Sequence, residues 1–274
     1  MPEILIKSRL QGLTSLPTLP PILSKLIKAL QKERASIFEV AEILRCDQSL
    51  AARIVAVANS PFFGYPGKIN SIDQALLMLG FDMVKSISLG VSVFGFLPAQ
   101  YPSVRQMWAH SYGVAALSGA MCSRIPVADK SICFLGGLLH DIGRAVFLKL
   151  HRDEYVPLLK ADALVEAETR KFQCDHAQVG GWFLESLSFP LEIALSVHHH
   201  HTVAGDMEHK GIATSVYLAE GLIGLLNPDL ACDGQWTEEH AEEFEERGLG
   251  ESDMKEFKAL LIAEAENLAG LFDL

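Results

Sequence analysis

The chain has 274 residues, 49% of them hydrophobic and 21% charged, with a formal net charge of −11. That is enough apolar material for a substantial core in one or two domains, which excludes a wholly disordered polypeptide. A spanning helix takes roughly 18 consecutive apolar residues, and the best candidate, 86–100, is broken by glycines, serines and Pro98, so no membrane association is expected. The opening MPEILIKSRL has neither a basic start nor a long apolar stretch, and the expected location is the cytoplasm. Cys46, Cys122, Cys133, Cys174 and Cys232 form no CxxC pair and read as reduced thiols. The charge is uneven: residues 233–274 hold thirteen acids against Arg247, Lys255 and Lys258, which is −10 of the −11. The remainder is close to neutral and offers no basic surface for direct nucleic-acid binding.

In chain order, the segments are helical. In LPTLPPILSKLIKAL the prolines come first, and Ile22, Leu23, Leu26, Ile27 and Leu30 share one stripe. Ser36 with Glu39 predicts a capping box for the helix bearing Val40, Ile43 and Leu44. Asp47 is expected to cap a helix ending near Asn59, and Ser71 with Gln74 repeats the box before Ala75, Leu76, Leu79 and Gly80. The loop SPFFGYPGK lies between them; Phe62 and Phe63 are expected to plug the core, leaving Tyr65 and adjacent helix faces to a protein partner. LPAQYPS, near 98–103, reads as a boundary. No segment alternates with a period of two, so the predicted fold class is all-α. The expected organisation is an N-terminal helical block (1–102), a helical core (103–232) and an acidic appendage (233–274), peripheral but docked by Leu260, Leu261, Leu268 and Leu271.

All ten histidines follow the boundary. His110 in MWAHSYGVAAL, His140 and Asp141 in FLGGLLHDIGR, His176 in CDHAQVGGWFL, and His198 and His199 in IALSVHHHHT each mark an apolar helical segment, at or near its end. Imidazole and carboxylate suit Zn, Mn and Fe, and helices converging on one core are a common way to build a two-metal cage. A lone histidine on such a face is more often a hydrogen-bonded core or surface residue, so the ordered set carries the inference. His151, His201, His209 and His240 match no motif and read as surface residues.

The runs LPTLPPIL, ILRCDQSLAARIVAVANSPFFG, INSIDQALLMLGFDMVKSISL, WAHS and FLGGLLHDIGR resemble the HDOD branch of the HD phosphohydrolase superfamily over about residues 13–205. The second half is also similar to HD-GYP phosphodiesterases. The resemblance implies an all-helical HD core behind an N-terminal helical block, usually in bacterial signal transduction. It matches His110, His140 and Asp141 to the opening histidine and the HD doublet, with Asp141 bridging two metals, and His176, His198 and His199 to the additional histidines of dinuclear members. Glu220 stands where the superfamily usually closes the set with aspartate, HHHHTVAGDMEHKG lacks the extended HD-GYP signature, and Gln106 replaces the glutamate of trinuclear members. The implied cofactor is therefore a dinuclear divalent transition metal, with Fe or Mn favoured over Mg by the nitrogen-rich ligands.

Arg144 after the doublet reads either as a phosphate clamp or as a solvated charge at a helix end. Two functions follow from different classes. One is hydrolysis of a nucleotide or other phosphoester, with Asp141 and Arg144 as the catalytic pair. The other is a non-catalytic signalling module that keeps the cage for stability or sensing and engages a protein partner.

Overall fold

In a computed structural model of the chain, the described residues are 21–30, 36–94, 102–122, 124–125, 129–202, 210–228, 230, 232 and 234–271. They form helices and turns, with no strand among them, as the all-α expectation requires. Helix α1 (Pro21–Leu30) begins on a proline and buries Leu23, Leu26 and Ala29, while Ile22 and Ile27 are half-buried. Ser36 stands at the N-cap of α2 (Ile37–Arg45), but its side chain makes no capping bond, so the predicted box does not form. Asp47 does cap α3 (Gln48–Ala58), accepting from the Leu50 amide at 2.9 Å. Pro61–Phe63 make one turn of 3-10 helix. Ser71 caps α4 (Ile72–Leu79) by accepting from Gln74 N at 3.2 Å, and Gly80, at φ +82, ends it before α5 (Phe81–Phe94). The expected boundary lies mostly outside the described residues.

The second half comprises α6 (Pro102–Met121), α7 (Lys130–Leu139), α8 (Ile142–Leu150), the short α9 (Arg152–Tyr155), α10 (Leu164–Phe172), α11 (His176–Ser186), α12 (Leu191–His198) and α13 (Lys210–Leu226). The acidic end folds as α14 (Glu238–Glu246) and α15 (Glu251–Leu271). One apolar cluster runs without a break from Leu23 and Ile54 through Phe134 and Leu138 to Val197, so the N-terminal helices and the histidine-bearing helices share a core. The run Lys130–Leu150 is long and apolar enough to cross a membrane, but 89% of it is buried inside this core.

The acidic end packs onto the helical core. Phe244, Leu249, Phe257 and Leu261 are buried with Val114, Leu117, Val216 and Leu222 in a second cluster. Glu264, 1% exposed, accepts from Ser60 Oγ at 2.6 Å and from the Phe62 amide at 2.7 Å, tying α15 to the loop of the N-terminal block. Here Leu260 and Leu261 are joined by aromatics that widen the stripe beyond one docking face; Leu268 and Leu271 have side chains outside the described residues. The loop behaves as expected otherwise: Phe62 is buried, Phe63 is half-buried and both lie within 6 Å of the Phe134 ring, whereas Tyr65 is exposed. The most open apolar side chains are Phe38 on α2 and Leu77 on α4.

Candidate metal centre

The HD doublet forms the joint between two helices: His140 follows the last residue of α7, and Asp141 precedes the first residue of α8. The sequence FLGGLLHDIGR allows this joint to be approached closely. A Cβ on Gly143 would lie 1.9 Å from the His176 carbonyl oxygen, so only glycine lets α8 pack against the start of α11. That contact brings His176, the first residue of α11, to Asp141. His110 reaches the same point from the middle of the 20-residue helix α6 rather than from a helix end. Glu220 comes from α13.

His110, His140, Asp141 and His176 are fully buried, and Glu220 is 3% exposed. Asp141 stands between two groups of nitrogen. Its Oδ2 lies 3.8 Å from His110 Nε2 and 3.6 Å from His140 Nε2; its Oδ1 lies 3.2 Å from His176 Nε2 and 3.0 Å from Arg144 Nε. Neither oxygen receives a hydrogen bond of good geometry among the described residues. His110 and His140 donate Nδ1–H to the carbonyls of Leu230 (2.8 Å) and Gly137 (2.7 Å), which fixes their tautomers. Their Nε2 lone pairs therefore face each other across 3.1 Å. Two ring nitrogens turned toward each other beside a buried carboxylate suit a cation, and the outward Nδ1–H bonds are the supports typical of ligating histidines.

The second nitrogen group differs from the expected one. His200 and His201, in the turn after α12, enter the site, whereas His198 and His199 do not. His201 Nε2 is 2.9 Å from His176 Nε2. His200 is fully buried, donates Nδ1–H to the Val197 carbonyl at 2.6 Å and leaves Nε2 unbonded among the described residues. Glu220 Oε2 lies 3.8 Å from both His200 Nε2 and His201 Nδ1. His198 instead packs near Trp182, with the His199 ring tilted against it at 4.7 Å, both half-buried. The helix carries only His198; the chain must turn past His199 before an imidazole points inward. His201 is half-buried with its ring in the site, His240 is buried against Tyr217 and Trp236 rather than at the surface, and His209 lies outside the described residues.

The electrostatics follow from burial and from the carboxylates around the histidines. Burial pushes His140 well below the ordinary imidazole range despite Asp141, and it does the same to His200, so both are neutral donors of a lone pair. Burial alone would raise Asp141, but Arg144, His140 and His176 outweigh it and hold the carboxyl well below its usual range. Burial also opposes charge on His176, yet Glu168 and Asp141 raise it well above the usual value. Glu168 is a site residue that motif matching misses. It is fully buried, binds His176 Nδ1 at 2.7 Å and the His176 amide at 2.8 Å, and accepts from the Tyr155 hydroxyl at 2.6 Å. The available signal was an acid on an apolar stripe, since Leu164, Glu168 and Phe172 are spaced by four and all buried.

Arg144 is 4% exposed, so the reading as a solvated helix-end charge is set aside. It borders a cavity of about 130 Å³ lined also by Gln106, Met107, Leu148, Leu159, Leu164 and Cys232.

The HDOD domain family matches residues 16–203, more than half of the chain. The chain belongs to the HDOD family. An HDOD domain protein of unknown function from Geobacter sulfurreducens superposes with a TM-score of 0.73 at 26% identity, covering 98% of this chain and 96% of that one. A Shewanella amazonensis chain that carries only the provisional name of a metal-dependent phosphohydrolase shares the fold at a TM-score of 0.68 and 20% identity, over 99% of each chain. An uncharacterized protein of Treponema pallidum is 21% identical over 77% of this chain, and the match spans 43% of that protein's length. The HDOD match ends at residue 203, so Glu220, Cys232 and the two acidic helices lie beyond it.

Proposed function

We propose that this HDOD protein binds two divalent transition-metal ions at the buried histidine cluster and hydrolyses a phosphoester there. The observation that carries the reading is Asp141, which turns one oxygen toward His110 and His140 and the other toward His176, as a bridging carboxylate must. His110, His140 and Glu220 would hold one ion and His176, His200 and His201 the other, sets whose donor atoms lie within 4.8 Å of one another. Fe or Mn is favoured because nitrogen donors dominate and carboxylates remain on both sides. When bound, the pair supplies Lewis acidity toward a phosphoryl oxygen and acidifies water into a nucleophile near neutral pH.

The chain's own residues do the rest. Glu168 holds the His176 ring through Nδ1 and so aims Nε2 at the centre. Arg144, held by Asp141, presents its guanidinium at the cavity wall, where it would bind and orient phosphate oxygens. Met107, Leu148, Leu159 and Leu164 give that cavity an apolar wall. The extended HD-GYP signature is absent, so cyclic-di-GMP is not the assumed substrate.

A second reading, in which the cluster binds metal without turnover and the module signals to a protein partner, is favoured by closure of the site. The cavity of about 130 Å³ is below the roughly 300 Å³ at which ligand pockets usually begin. Elemental analysis of the purified protein, followed by assay against phosphomonoesters and cyclic dinucleotides, separates the readings. Metal with turnover supports the hydrolase, metal without turnover supports the signalling module, and no metal overturns both.

A further inference from the structure

After α13, Leu230, Cys232 and Gly234 come to the candidate centre, and one of them is a soft donor. Its start is fixed by the Asn227 amide on Ile223 O at 2.9 Å and the Leu230 amide on Asn227 O at 3.0 Å. The Leu230 carbonyl then accepts His110 Nδ1–H at 2.8 Å, so the backbone itself supports a candidate ligand. Four residues later, Gly234 lies so near Glu220 that a Cβ there would fall 2.5 Å from Glu220 Cγ; no side chain fits between the segment and α13. Cys232 sits midway between these two anchors, each of which is made on a residue of the centre. A nitrogen of His110, a carboxylate oxygen of Asp141 and Cys232 Sγ all lie within 4.8 Å of one another. Asp141 is fully buried, with neither oxygen in a good hydrogen bond among the described residues, and it faces the same point.

From this geometry we propose that Cys232 is a thiolate ligand of the metal ion on the His110 side of Asp141. The assignment rests on metal occupying the cluster, as argued above. A thiolate there adds sulfur to a nitrogen and oxygen set. It shifts preference toward Fe, Zn and Co and away from Mg and Mn, which favour oxygen donors. It also places an oxidisable atom in the first coordination sphere, beside the Arg144 cavity that Cys232 helps to line.

The test is the electronic spectrum of the full chain reconstituted with Co(II), because sulfur ligation alone gives an intense thiolate-to-cobalt charge-transfer absorption in the near ultraviolet. The wild type should show that band, Cys232→Ser should keep bound cobalt but lose the band, and Cys46→Ser, altering an exposed thiol, should keep both. A second measurement needs no substitution: Zn(II) added to metal-free protein should slow alkylation of Cys232 by iodoacetamide several-fold while leaving Cys46 unchanged, read by peptide mass spectrometry. Cobalt bound without the band, a band that survives Cys232→Ser, or alkylation of Cys232 indifferent to zinc overturns the assignment and leaves the metal reading standing. A wild type that takes up no metal overturns the metal reading and this assignment with it.

Discussion

The N-terminal helices and the histidine-bearing helices share one core but bury different chemistry. Among the described residues between Pro21 and Phe94 the buried side chains are apolar, joined only by the serines Ser60, Ser86, Ser88 and Ser92. Between His110 and Glu220 the same core encloses His110, His140, Asp141, Arg144, Glu168, His176, His200 and Glu220. Burying ionisable groups costs several kcal/mol each unless they are paired or coordinated. Stability is therefore the concern of the first region, whereas the second gives up apolar packing for a constellation that a cation completes. Substitutions should separate the two: those in the first region should change stability with metal content intact, and those in the second should do the reverse.

The largest effect belongs to Asp141. Asp141→Ala should lose both equivalents of metal, and Asp141→Asn, which keeps the shape, should do nearly the same; retention of one full equivalent by elemental analysis would show that the carboxylate does not serve both sides. Glu168→Gln should weaken metal affinity by about 10–100-fold without removing a ligand, because it supports His176 through Nδ1. Competition with a chelator reads this directly.

In the N-terminal block, Leu26→Ala should cost about 2–5 kcal/mol of unfolding free energy, since the side chain is fully buried, while metal stoichiometry stays unchanged. Denaturant titration alongside elemental analysis checks both halves. Glu264→Ala should cost about 1–3 kcal/mol by leaving the buried Ser60 hydroxyl without its acceptor and the Phe62 amide with Ser60 Oγ alone, again with metal retained.

The smallest expected effect is a pH dependence. Burial lowers His240 to about 4, with the Tyr217 backbone opposing. The unfolded chain binds a proton there below about pH 6.5 that the folded chain refuses, so the His240 contribution to stability is complete above that pH. It declines as pH falls toward 4 and changes no further below. His240→Gln should flatten this part of the stability profile, measured on metal-free protein and read as the difference from wild type, in which the shared contribution of His140 and His200 cancels.

Much of the second region was legible because its chemistry is written in local pairs. The HD doublet at a helix joint, Arg144 three residues on, and the glycine at 143 are adjacent in sequence, and His176 opens a helix whose cap, Asp175, is itself a sequence signal. The four consecutive histidines were not resolvable, because choosing among them depends on how many residues the chain takes to turn after α12. Cys232 and Glu264 were illegible for a related reason. Each acts across the fold, on His110 and Ser60 respectively, and no local period reports such a contact. In the first region the stripes and the caps at Asp47 and Ser71 read correctly, but at Ser36 the residue type alone did not secure the bond.

The central claim is that Asp141 divides the cluster into two metal sites, and anomalous diffraction from crystals of the protein holding its native metal tests it most directly. Two peaks should appear, one between Asp141 and the His110–His140 pair and one between Asp141 and His176, His200 and His201. A single peak away from Asp141, or one confined to the acidic face of α14 with the histidine cluster empty, would contradict it.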